Sequence, residues 1–112
     1  MDCLFCDIAK KRQASDMVFE DSELVAIRDI NPKARVHLLI VPKRHLPSLA
    51  AATADDSQLL GRLLYRATLL AEQEGVDQSG YKVVINTGRH GGQVVDHLHI
   101  HLLGGEPVRQ LV

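Results

Sequence analysis

The sequence predicts an α+β fold of about five antiparallel strands with one long and one short helix, in a single domain over residues 1–112. Two observations lead there. Apolar runs of strand character gather at both ends of the chain, and a single helical leucine stripe lies between them. Repeated parallel units would instead alternate strands and helices throughout. With 112 residues, 46% hydrophobic and 24% charged, the chain has the size and composition of one globular domain.

Residues 4–12 read as a short helix with Leu4 and Ile8 on one side. Residues 17–20 and 23–29 read as two strands around an acidic turn at Asp21-Ser22, and Asn31-Pro32 ends the second because proline removes a ladder donor. Val36 to Val41, closed by Pro42, is the third strand. Thr53 is placed to cap the long helix, with Asp55 and Asp56 in its first turn. Leu59, Leu60, Leu63, Leu64, Ala67, Leu70 and Ala71 then recur at helical spacing up to a stop at Gly75. This stripe is broad enough to cover a sheet face and also meet a partner's helix. Tyr81 to Asn86 and His97 to Leu103 supply the last two strands, joined by the loop Thr87-Gly88-Arg89-His90-Gly91-Gly92-Gln93.

The net charge of -1, with no Lys/Arg run longer than Lys10-Lys11-Arg12, argues against a nucleic-acid partner but leaves a small anion such as a nucleotide open. No apolar run approaches the roughly 18 residues of a membrane span, so no membrane partner is expected. The start Met1-Asp2-Cys3-Leu4-Phe5-Cys6 lacks a basic segment followed by an apolar one, so the expected location is cytoplasmic with both cysteines reduced. Their Cys-x-x-Cys spacing then suggests metal ligation or redox chemistry.

The densest chemistry is His97-x-His99-x-His101. On a strand these imidazoles share one face, while Leu98, Ile100 and Leu102 face the opposite way into a core. The outer two lie roughly 13 Å apart on a strand, so the run is a poor cage for one ion. Nucleophilic catalysis fits better, because neutral imidazole, with an ordinary pKa of about 6.5, is a good nucleophile near neutral pH. His37 joins the row if the third and fifth strands come close. Gly88, Gly91 and Gly92 can turn backbone N–H groups toward a phosphate, with Asn86 and Gln93 as further neutral donors.

The stretch from Gly91 to Gly105 (GGQVVDHLHIHLLGG) resembles the signature of the histidine triad superfamily, and specifically its histidine-triad nucleotide-binding, or purine nucleoside phosphoramidase, branch. Phe5-Cys6-Asp7-Ile8, Phe19-Glu20-Asp21, Arg28-Asp29-Ile30-Asn31-Pro32, His37-Leu38-Leu39-Ile40-Val41-Pro42 and Asn86-Thr87-Gly88 agree in order. The resemblance implies hydrolysis of the P–N bond of purine nucleoside 5'-phosphoramidates. His99 would be the nucleophile, carrying a nucleotidyl group, with His101 on the phosphate and His37 and His97 completing the catalytic set. Asp29 would bind the ribose, while Phe5, Ile8, Ile27 and Ile30 would enclose the base. Asn86, Gly92, Gln93 and Val94 would border the phosphate and leaving group. It also implies a homodimer whose sheets join into one. Two residues depart from close relatives: Val94 stands where many members have a hydroxyl, and Asp96 replaces an aromatic residue. Both bear on leaving-group selectivity.

For some members resembling this chain the resemblance further implies a structural zinc on Cys3, Cys6, His45 and His97, outside the chemistry, which requires no cofactor. Two other functions remain open: hydrolysis of dinucleoside polyphosphates by the same histidine, and nucleotide-dependent regulation with little turnover.

Overall fold

The computed structural model describes residues 3–9 and 16–109. Helix α1 (Leu4–Ala9) precedes strands β1 (Met17–Glu20), β2 (Leu24–Arg28) and β3 (Val36–Pro42); helix α2 (Ser57–Gln73) then leads to β4 (Tyr81–Val84) and β5 (Ile100–Gly104). The five strands form one antiparallel sheet in the order β1-β2-β3-β5-β4. The expected short helix is present over residues 4–9, and the remainder of that expectation falls outside the described residues.

Each face of the sheet is covered differently. On one, Leu24, Ala26, Leu38, Ile40, Ile100 and Leu102 pack against Leu63, Ala67, Leu70 and Ala71 of α2. On the other, Val25, Ile27, Leu39 and Val41 pack against Cys3, Phe5 and Ile8 around α1. The period-two alternation along β2, β3 and β5 therefore divides a core from a functional face. Pairing of Leu39 with His101, and of His37 with Leu103, brings His37 beside the histidine run.

Thr53 performs the expected capping one turn earlier than the α-helix itself. It opens a 3-10 turn (Ala54–Asp56), and Asp56 returns its carboxylate to the Thr53 N–H at 2.8 Å. That N–H, followed by Arg44, holds the buried Asp56 carboxyl below its ordinary pKa. At the other end Gly75 adopts φ 74°, the left-handed conformation that ends a helix cheaply only at glycine. Leu64 and Tyr65 stay 47% and 65% exposed, so part of the leucine stripe is left uncovered by the described residues.

The fifth strand begins at Ile100, three residues later than the sequence suggests. The reason is tertiary. The Leu98 N–H donates to the Leu46 carbonyl at 2.7 Å and the His97 N–H to Val95 at 2.9 Å, so this backbone bonds outside the sheet ladder. Among the described residues, no helix is long and apolar enough to cross a membrane.

Candidate active site

A cleft of about 520 Å³ opens on the functional face between α1, the turn after β2, β3 and the glycine loop. It brings together His37, His99 and His101 with Phe5, Ile8, Ile27, Asp29, Ile30, Asn86, Gly92 and Val94. Phe5, Ile8 and Ile27 are buried and form an apolar wall, and the Phe5 ring meets that of His99 with centroids 4.9 Å apart. Ile30 departs from the expected enclosure: it is 89% exposed and sits at the rim, because it follows the end of β2 in a turn. Val94, at 90% exposed, is another bare apolar residue at the cleft, and Leu4 is also exposed there.

The hydrogen bonds assign a role to each ring nitrogen. His99 Nδ1 lies 2.7 Å from the His97 carbonyl, which only accepts; Nδ1 therefore carries the proton, and in the neutral ring Nε2 keeps its lone pair. A second chain of bonds starts at the Lys33 N–H, which donates to His37 Nδ1 at 3.1 Å. The His37 proton is then on Nε2, 2.9 Å from His101 Nδ1, to which it donates. His101 in turn is left with its proton on Nε2. One backbone amide thus leaves His101 with its proton on Nε2, and one backbone carbonyl leaves His99 Nε2 with its lone pair.

Burial keeps the relay neutral. It pushes the His101 pKa down to about 4, with His99 and His37 adding to the effect. His37 is likewise lowered by burial, against the opposing pull of Asp29. The Asp29 carboxylate lies 3.5 Å from His37 Nε2 and accepts the Asn31 N–H at 2.8 Å. Asp29, His37 and His101 have ligand atoms close enough to suggest a metal triad. The Lys33 bond argues otherwise: with Nδ1 accepting, His37 must keep the Nε2 proton that a metal would displace.

His97 does not line the cleft, contrary to its expected place among the catalytic side chains. Its Nε2–H donates to the Pro42 carbonyl at 2.8 Å, which turns Nδ1 away toward Cys3, Cys6 and His45. Only its carbonyl, holding His99, reaches the reactive row. Gln93 is also outside the cleft lining. Its side chain braces the glycine loop, accepting the Gly88 N–H and donating to the Pro47 and Val95 carbonyls. The phosphate cradle expected of this loop needs correction as well. The N–H groups of Gly91, Gly92 and Gln93 donate to carbonyls of Gly88 and Arg89, and that of Gly88 to Gln93, so none of these amides is free for an anion. Positive φ at Gly88 and Gly92 serves this closed turn.

The Cys3, Cys6, His45 and His97 ligand atoms all lie within 4.8 Å of one another. Sulfur-to-nitrogen separations are 3.3–3.4 Å, and the two Nδ1 atoms are 3.0 Å apart. A tetrahedral zinc with ordinary bond lengths needs S···N edges of about 3.5 Å and N···N edges of about 3.3 Å. These four edges fit a zinc within a few tenths of an ångström, and the His97–Pro42 bond supplies the outer contact such a ligand usually has.

The sequence left out Lys33, Leu39 and Val95, which also line the cleft. Leu39 was legible, since it alternates with Leu38 and Ile40 onto the histidine face. Lys33 acts through its backbone amide, which no side-chain pattern reveals.

The family model described as "Scavenger mRNA decapping enzyme C-term binding" matches residues 2–108. The purine nucleoside phosphoramidase of Escherichia coli (strain K12) is 44% identical over 105 residues, covering 94% of this chain and 88% of that protein. A HIT family hydrolase from Legionella pneumophila Philadelphia 1 superposes with a TM-score of 0.94 at 47% identity, over 95% of each chain. A zinc-bound histidine triad family protein from Mycobacterium smegmatis superposes at 0.81 with 27% identity, over 100% of this chain and 81% of that one. The chain belongs to the histidine triad superfamily, in the branch that contains the Escherichia coli enzyme. Hydrolase is the activity class that this membership supports.

Proposed function

We propose that the chain hydrolyses the P–N bond of purine nucleoside 5'-phosphoramidates through a nucleotidyl intermediate on His99. The observation that supports this most is the pair of fixed tautomers: a bare His99 Nε2 beside a donating His101 Nε2–H at the floor of one cleft. His99 Nε2 attacks phosphorus, the P–N bond breaks, and its electron pair leaves with the amine. The positive charge arising on the His99 ring is stabilised by the His97 carbonyl at Nδ1. His101 donates to a phosphoryl oxygen. Because the Val94 side chain has no acidic proton to give, the departing amine takes one from solvent. Water then attacks phosphorus, His99 Nε2 departs, and a nucleoside monophosphate is released. Asp29 binds the ribose hydroxyls, and Phe5, Ile8 and Ile27 flank the base; the purine preference follows the name of the Escherichia coli relative. Asn86, Gly92 and Val94 border the phosphate and leaving group.

Cys3, Cys6, His45 and His97 would hold zinc, whose contribution is a structural cross-link between α1 and the approach to β5. A homodimer is part of the same reading, supported by the exposed Leu64 and Tyr65 on α2 and by Tyr81 and Val83 on the edge strand β4. Sedimentation at twice the monomer mass is the expected result.

The deciding experiment is mass spectrometry after brief exposure to adenosine phosphoramidate. A nucleotide adduct on His99 is expected. Turnover without an adduct, or with the adduct on another residue, refutes the mechanism. Parallel assay with diadenosine polyphosphate separates this substrate class from the neighbouring one.

A further inference from the structure

Cys3, Cys6, Phe5 and Ile8 belong to one short segment, yet they serve two sites. The cysteines face His45 and His97, whereas Phe5 and Ile8 line the nucleotide cleft. Phe5 lies between the cysteines in sequence and meets both histidine rings edge-on in space, its centroid 5.9 Å from that of His97 and 4.9 Å from that of His99. His97 also serves both, offering its ring to the cysteines and its carbonyl to His99. We propose that Cys3 and Cys6 are a redox-modification site: a hydroperoxide joins them, emptying the cage and loosening the wall of the cleft. The proposal rests on the zinc reading above.

The geometry suits the reaction. Cys6 is half-buried and Cys3 buried, so one sulfur meets an oxidant while the other lies within 4.8 Å to resolve the product. Residues three apart in a helical turn have Cα atoms about 5 Å apart, inside the range of about 4.4–6.8 Å that a disulfide spans. The Cys6 thiolate attacks the O–O bond, giving a sulfenic acid and releasing an alcohol or water. The Cys3 thiolate then attacks the Cys6 sulfur and expels hydroxide. Two electrons pass from the sulfur pair to the peroxide, and two protons from solvent complete the products. Joined to each other, the sulfurs no longer serve as ligands, leaving the two imidazoles alone. The tie between α1 and the approach to β5 is then lost, and the remaining hold on α1 includes apolar contacts with Val25, Ile27, Leu39 and Val41.

The test uses the full chain, reduced and loaded with zinc, with metal content measured first. Stoichiometric hydrogen peroxide is added while a chromogenic chelator follows zinc, mass spectrometry follows the disulfide, and calorimetry follows adenosine monophosphate affinity. Zinc release should track disulfide formation. Affinity should fall about ten-fold, as loss of one aromatic wall predicts, and return with a thiol reductant and zinc. Amide exchange over residues 4–9 should rise in parallel, a readout independent of nucleotide binding. A disulfide that leaves both amide exchange and affinity unchanged overturns the proposal, as does zinc retained with unjoined cysteines. A reduced chain that binds no zinc overturns the cage reading and the switch with it. A His99 that fails to trap a nucleotide leaves the exchange measurement decisive.

Discussion

Burial of His101 makes the protein acid-sensitive by an amount that follows from its surroundings. The side chain is buried between His37 and His99, and its pKa is pushed down to about 4. The unfolded imidazole titrates near 6.5, so between these values the unfolded state binds more protons than the native one. Stability must therefore rise with pH in this window, and the His101 contribution is complete above about 6.5 and lost as pH falls toward about 4. At about 1.4 kcal/mol per pH unit, full loss is roughly 3 kcal/mol, of which about 2 kcal/mol is gone by pH 5. Asp29, His37, His99 and Lys33 share the environment, so the measurement should be a difference. Urea unfolding of the native sequence and His101→Gln, from pH 4.5 to 7.5 at equal zinc, isolates the contribution of this ring. The gap between the two should narrow by about 2 kcal/mol from pH 7 to pH 5. Two curves that remain parallel across the range would mean that the native fold does not depress the His101 pKa.

Four further outcomes are expected. Asp29→Asn should weaken adenosine monophosphate binding about ten-fold by calorimetry, since an amide loses a charged acceptor for the ribose hydroxyls. His99→Asn should retain that binding while losing turnover and the covalent adduct. Gly104→Ala should destabilise the fold by about 1–3 kcal/mol in chemical denaturation, because its new Cβ would stand 3.0–3.2 Å from side-chain atoms of Val76; adding Val76→Ala should restore much of the loss. Thr53→Ala should cost about 1 kcal/mol by the same assay, through loss of the cap side chain before α2.

Much of the fold was legible because its elements carry local signals. Leucine spacing, Thr53 and Gly75 mark α2, and alternation marks the two faces of β3 and β5. The sheet order is different in kind. Residues 36–40 pair with residues 100–104, and nothing local to either strand names the other. The late start of β5 has the same origin, for it depends on Leu98 finding Leu46. The closed glycine loop shows a further limit. Its composition permits amides to face an anion, but Gln93 and the carbonyls of Gly88 and Arg89 already satisfy them.

The histidine row illustrates why residue type and chemical role separate. Sequence spacing places His97, His99 and His101 on one side and treats them alike. Their roles diverge only through partners that carry no side-chain signature: the Lys33 amide, the His97 carbonyl and the Pro42 carbonyl. Each fixes one proton, so His99 keeps a lone pair on Nε2, His101 keeps a proton on Nε2, and His97 turns Nδ1 toward the cysteines. Replacing Lys33 by proline would remove its amide while leaving every histidine in place. His37 Nδ1 would lose its donor, and the ring would be free to carry its proton there instead. His101 would then no longer be held as the donor, so turnover should fall while the His99 adduct still forms. A Lys33→Ala protein, which keeps the amide, should retain the relay. If both variants behave alike, the backbone does not set the tautomers, and the division of labour among the histidines must come from another source.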